Sequence, residues 1–180
     1  MEELVRRSLI NLLPRLRRFA INLTGEVDRG DDLVQHASER ALSRASQWKP
    51  GTRLDSWLFR IIYNAWIDEQ RSIQSQSRTD LEAARNVVDD NGTAAAEVRL
   101  AAQEVLGALA NLPEEQRAVL SLVCVEGMAY RDVAEVLNIP VGTVMSRVAR
   151  GRLAIAEQLD EPEPRFNNTQ GRVAKFRGSR

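Results

Sequence analysis

The chain has 180 residues, 43% hydrophobic and 28% charged, with 25 basic against 25 acidic residues. That length allows one or two small domains, and the balanced charge excludes a protein that coats nucleic acid by bulk attraction, so any DNA binding must be local or delivered by a partner. A single cysteine excludes an internal disulfide, no apolar run is long enough to span a bilayer, and Met1-Glu2-Glu3 opens no signal-peptide pattern, so a reducing cytoplasm is expected.

From Glu2 to Leu23, apolar residues recur at helical spacing (Leu4, Val5, Leu9, Leu12, Leu13, Leu16, Phe19, Ala20, Leu23) with arginines between them. One or two core-facing helices are expected, with Pro14 as a boundary or first turn. Thr24-Gly25 closes this segment. Gly30-Asp31-Asp32 opens the next helix, to about Ser46, with acidic residues at its positive end. Leu33, Val34, Ala37, Ala41 and Ala45 form its apolar stripe, and Asp32, Gln35, Glu39 and Arg40 point outward. The Pro-Gly pair makes 47–53 a loop. A helix over 54–71 follows, with Leu54, Trp57, Leu58, Ile61, Ile62 and Ala65 as its core face, while Phe59, Tyr63 and Trp66 project elsewhere. Rings beside Arg60, Asn64 and Arg71 suit single-stranded DNA, since unstacked bases gain about 1–3 kcal/mol each by stacking on them; packing against neighbouring helices is the competing reading.

From Ser72 to about Thr93 the composition is that of a linker, with a weak helix at 81–88. A helix over 94–112 carries Val98, Leu100, Ala101, Val105, Leu106 and Leu109 on its apolar face. Leu112-Pro113-Glu114-Glu115-Gln116-Arg117 starts another, with carboxylates at its positive end, and Gly127 stops it. Cys124, in the apolar run 119–125, reads as a small core residue. Next comes a helix-turn-helix. Val133, Ala134 and Leu137 face inward from a short helix, Asn138 takes the left-handed turn, and Pro140 prevents continuation. A second helix starts at Gly142-Thr143 with Val144, Val148 and Ile155 inward. Its outer face, Met145, Ser146, Ala149 and Arg150, suits base edges in a major groove, with Arg150 bidentate to guanine; Arg147 and Arg152 flank it as phosphate contacts. A polar, basic tail follows Pro164 and is expected to be disordered.

Four segments in this order, Asp31-Asp32-Leu33-Val34-Gln35, Trp57 to Asn64, Leu112 to Arg117, and Val141 to Arg147, resemble a bacterial sigma factor of the sigma-70 family, and more narrowly its extracytoplasmic function group. The likeness covers roughly residues 8–160. It implies an all-α fold of two small helical domains: 1–72, sigma domain 2; 73–93, a flexible linker; and 94–160, sigma domain 4, with 161–180 as tail. By the same resemblance Asp32 and Gln35, supported by Glu39 and Arg40, dock on the β′ subunit of core RNA polymerase, with the β subunit as a further contact. Trp48, Lys49 and Arg53 lie in the loop that captures a flipped −10 base, and Arg60, Tyr63, Asn64, Asp68 and Arg71 lie along the helix that reads and holds the opened −10 strand. Asp68 is a departure, a carboxylate where an amide would be more welcome beside phosphates, and is expected to accept from a cytosine or be held by Arg71 or Arg60. Thr143, Met145, Ser146, Ala149 and Arg150 match the −35 readers and Arg147 and Arg152 the phosphate contacts, with Met145 standing where some relatives carry a basic residue.

The implied role is a specificity subunit for promoter DNA, with chemistry supplied by the polymerase. His36 is the only histidine, no cysteine pair or phosphate-cradling loop is present, and no enzyme activity, cofactor or metal is expected. The N-terminal acidic region by which larger sigma factors silence themselves is not seen, so an anti-sigma partner is expected. The alternatives are a sigma-like decoy that sequesters an anti-sigma factor, and a stand-alone helix-turn-helix regulator.

Overall fold

The computed structural model describes residues 2–76 and 104–159, and the described residues are helices and turns. The helices are α1 (Glu2–Thr24), α2 (Val27–Ser43), α3 (Leu54–Gln76), α4 (104–110), α5 (Glu114–Leu120), α6 (Tyr130–Leu137) and α7 (Val141–Gln158), with a 3₁₀ turn at Ala45–Gln47 and a π-helical turn at Ser121–Val125. α3 runs into the expected linker; the rest of that linker, the helix over 81–88 and the tail lie outside the described residues.

α1 is one helix rather than two. Val5, Leu9, Leu16, Phe19, Ala20 and Leu23 are buried along one stripe, while Pro14 sits on the exposed side, so the bond it withholds is lost to water and not to the core. Gly25 ends it at φ +76°, and the Thr24 hydroxyl bonds the Glu26 carbonyl at 2.8 Å. α2 therefore starts at Val27, three residues before the expected glycine. Gly30 serves a different purpose: it is buried where α2 crosses α1, and a Cβ there would lie 2.6 Å from Ile21 Cγ1 and 2.9 Å from its Cα.

α3 is the central helix, packed by α1, α2 and α6. Because it is covered on several sides, the expected division of its aromatics does not hold. Phe59 and Trp66 are buried and Trp57 only partly so; Phe59 meets Phe19 edge-on, with ring centroids 5.3 Å apart.

In the second lobe α5 lies along α7, and Gly151 permits the approach, since its Cβ would fall 2.6 Å from Leu120 Cδ1. Arg117, itself buried, donates to the Ala110 carbonyl at 2.9 Å and ties the turn before α5. The apolar run 119–125 cannot all face inward from one helix. Val119, Leu120 and Leu122 are buried, whereas Cys124 is exposed and so is not the core residue expected; Val105 and Leu106 are exposed as well. The helix-turn-helix forms as read. Asn138 is left-handed at φ 53°, ψ 50°, the Ile139 N–H reaches back to the Ala134 carbonyl at 3.0 Å, and Pro140 precedes α7. Val144 and Val148 are buried; Ile155 is half-buried.

The two lobes share one apolar cluster, from Leu9 and Phe59 through Leu120 to Val148. α6 lies on α3 and α5 on α1.

Candidate nucleic-acid interface

α2 and α3 flank an open groove of about 710 Å³ lined by Arg29, Asp32, Leu33, His36, Glu39, Arg40, Ser43, Ala65 and Glu69. Both of its arginines are paired, Arg29 with Glu69 at 2.9 Å across the groove and Arg40 with Asp68 of α3 at 3.3 Å. Three of the four residues expected to dock polymerase, Asp32, Glu39 and Arg40, line it together; the fourth, Gln35, is exposed beside it and donates to Glu39 at 3.4 Å. Asp31, their neighbour, bonds Arg17 of α1 through both oxygens, at 2.6 and 3.0 Å, and so fastens the two helices. Asp68 is held by Arg40, from α2, rather than by Arg60 or Arg71. Arg29 and Glu69 carried no sequence signal, because two oppositely charged residues 40 positions apart acquire meaning only when the helices cross.

Along the loop and α3, Lys49, Asn64 and Arg71 are exposed. Trp48 is packed with Val5 and Ala45, so its ring is engaged in the core, with the indole nitrogen buried and unbonded. Tyr63 is half-buried against Trp66, with centroids 5.9 Å apart, and burial raises its phenol pKa. Arg53 is gripped by two carboxylates. Its bond to Asp55, at 2.8 Å, raises its own pKa and lowers that of Asp55, and it also donates to Asp132 on α6. Arg60 donates to the Glu135 main-chain carbonyl at 2.6 Å.

On α7 the outer face is formed as expected. Met145 is 55% exposed and Ser146, Ala149 and Arg150 are exposed, while Thr143 is half-buried. Ser146 and Arg150 are held lightly by main-chain carbonyls one turn back, Ser146 Oγ to Thr143 at 3.0 Å and Arg150 Nε to Ser146 at 3.3 Å. Such bonds are readily exchanged for base edges. Arg152 is exposed and donates to Cys124 Sγ at 3.5 Å. Arg147 differs: its side chain is largely covered and paired with Glu115. Among the described residues no helix is long and apolar enough to cross a membrane, and no cluster of ligating side chains has the make-up of a metal site.

Residues 102–163 match the family model for sigma-70 region 4, and residues 9–63 that for the sigma2 domain of PhyR. The chain is 36% identical over 156 residues to the extracytoplasmic function RNA polymerase sigma factor EcfG of Rhodopseudomonas palustris, covering 86% of this chain and 84% of that protein. It is 34% identical over 145 residues to sigma factor SigM of Mycobacterium tuberculosis, covering 81% and 71%. Among solved structures, the sigma factor RpoE in complex with the anti-sigma factor NepR from Bartonella quintana superposes with a TM-score of 0.71 at 29% identity, covering 86% of this chain and 96% of that one.

Proposed function

The chain belongs to the extracytoplasmic function group of sigma-70 family RNA polymerase sigma factors, and from that premise we propose how each of its surfaces serves promoter-specific initiation. The groove between α2 and α3 docks core polymerase through Asp32, Gln35, Glu39 and Arg40. Residues 1–72 act as the −10 domain and 94–160 as the −35 domain, with 73–93 as the linker between them. The observation that carries the reading is the exposed Met145-Ser146-Ala149-Arg150 face of α7, set by the left-handed Asn138 turn, on the same chain as the acidic-Leu-Val-Gln helix.

In the −35 domain Arg150 reads guanine, Ser146 and Ala149 follow adjacent base edges, and Arg147 and Arg152 hold phosphates. In the −10 domain Asn64 contacts the opened strand, with Lys49, Arg53, Arg60 and Arg71 along its backbone and Tyr63 as a stacking surface. Capturing unstacked bases offsets the few kcal/mol of unpairing each one. Polymerase supplies the bond-making groups, and the sigma chain contributes recognition alone, in the cytoplasm where polymerase works. An anti-sigma factor holds it inactive; the likeness over both lobes to a sigma factor bound by one supports this control.

Run-off transcription with purified core polymerase on genomic promoter fragments tests the reading. Transcripts that require the protein and weaken about tenfold or more in both Asn64→Ala and Arg150→Ala are expected, the loss of one good base contact being worth about 1–3 kcal/mol. The match of residues 9–63 to the PhyR domain favours the decoy as the second reading. A decoy would give no transcripts at any fragment yet bind an anti-sigma factor.

A further inference from the structure

Two of the three arginines assigned to the −10 strand, Arg53 and Arg60, are already engaged by the other lobe, while Arg71 is exposed. Arg53 Nη1 donates to the Asp132 carboxylate and Arg60 Nη2 to the Glu135 carbonyl at 2.6 Å. Arg53, in the loop just before α3, and Arg60, on α3, are seven residues apart, and Asp132 and Glu135 lie one turn apart on α6, so α6 offers them a short row of oxygen acceptors where a nucleic-acid backbone would offer phosphates. Asn64 stays exposed. What α6 engages is half of the backbone grip, Arg53 and Arg60, and not the base reader; Lys49 and Arg71 stay exposed.

A second set of contacts fastens the seam. The Glu126 side chain is only 1% exposed, and its two oxygens accept from two arginines of α1, Arg15 Nε and Arg18 Nε, each at 2.8 Å. Arg15 also donates to the Glu126 carbonyl at 3.2 Å, lies over the Phe59 ring at 5.4 Å from its centroid, and stands 3.8 Å from Asp55. The π-helical turn sets this aim. Glu126 N–H bonds Ser121 O, five residues back, at 2.9 Å, and the added residue turns the chain by roughly 100° relative to a regular helix. None of Arg15, Arg18 and Glu126 belongs to the docking or DNA-reading surfaces. A covered carboxylate with two guanidiniums is a costly arrangement to break from one side, which suits a fastening between lobes.

We propose that α6 is an internal occupant of the −10 backbone-binding surface, and that Glu126 clasped by Arg15 and Arg18 is the latch that keeps it there until the lobes separate. The closed chain would then be silent toward single-stranded DNA without any partner, and polymerase or an anti-sigma factor would act by opening or bracing a closure the chain makes itself. This rests on the assignment of Arg53 and Arg60 to the −10 strand.

The test uses the full chain. Donor and acceptor dyes at Ser46→Cys and Glu157→Cys, exposed positions in different lobes, in a Cys124→Ser background, report lobe separation. Binding of a fluorescein-labelled random-sequence 12-mer of single-stranded DNA by the unlabelled chain reports access to the backbone grip. Wild type is expected to show high energy transfer and weak binding. Glu126→Arg should lose transfer and bind roughly tenfold more tightly, as follows if about one molecule in ten of the wild type is open. The charge-swapped Arg15→Glu/Arg18→Glu/Glu126→Arg chain should restore both, and Glu104→Arg, which adds similar charge away from the seam, should bind as wild type does. A Glu126→Arg chain with native helical circular dichroism and wild-type transfer overturns the latch. Opening without tighter binding overturns the mask; whether the strand assignment fails with it is decided separately, by whether run-off transcription depends on Asn64.

Discussion

Gly30 stands where α2 touches the backbone of α1, and its role is invisible in local sequence, where a glycine before two aspartates reads as a helix start. Because a Cβ there meets main-chain atoms of Ile21 and not merely a flexible side chain, Gly30→Ala should cost about 1–3 kcal/mol in urea denaturation. Gly142→Ala is the matched comparison. It has open space around it, and its loss of unfolded-state freedom should stabilise by about 0.5 kcal/mol.

Asp55 supplies a pH signature at the same scale. The Arg53 hydrogen bond is the largest influence and depresses its pKa against the opposing effect of burial, with Ser56 N–H and Arg15 helping. A carboxylate depressed on folding contributes stability that is complete above its unfolded value, about 3.9, and is lost as pH falls through the folded one. Below pH 4 the stability of wild type should therefore decline more steeply than that of Asp55→Asn, as measured by thermal melts across the acid limb. Equal slopes would mean that the Arg53 contact is not formed in solution.

Of the elements, the helix-turn-helix is the most legible, because its determinants are local. Asn138 tolerates φ 53°, Pro140 stops continuation, and Val144 and Val148 mark the buried side of α7. Asn138→Ala should lose about 1 kcal/mol in thermal or urea unfolding through left-handed strain, while Asn138→Gly should retain most of that stability. A similar loss in both would assign the turn to the Asn side chain and not to its backbone. α3 was less legible for a general reason. Helical periodicity identifies one buried stripe, and a helix packed by α1, α2 and α6 has more than one, so Phe59 and Trp66 go inside although both lie off the expected face. The π-helical turn left no periodic trace. One extra residue per turn is a choice between nearly equal hydrogen-bond patterns, decided by what Glu126 meets on α1.

For the whole molecule, closure and the proposed promoter contacts compete for the same groups. On the proposed assignment Arg53 and Arg60 cannot hold α6 and a DNA strand at once, and Arg147, paired with Glu115, would also have to be released to reach a phosphate. The equal numbers of basic and acidic residues fit this arrangement. Carboxylates such as Asp132 and Glu126 neutralise within the chain the arginines that would otherwise make it cling to any nucleic acid. Each lobe alone is near the size at which a hydrophobic core is barely sufficient, and the apolar cluster shared between them makes up part of that shortfall.

Sequence alone determined the all-α class, the helix-turn-helix with its outward Met145, Ser146, Ala149 and Arg150, the acidic helix bearing Asp32 and Gln35, and the family those segments resemble. The elements rest on residues within a few turns of one another, where spacing dictates which side chains share a face, and the family rests on the order of four such segments along the chain. Tertiary structure alone decided that Arg40 holds Asp68, that Gly30 and Gly151 are points of close approach, and that Arg15 and Arg18 meet Glu126 more than 100 positions away. A charge carries no mark of its partner in the sequence; the partner is chosen by how helices cross, and that follows from the packing of the shared core.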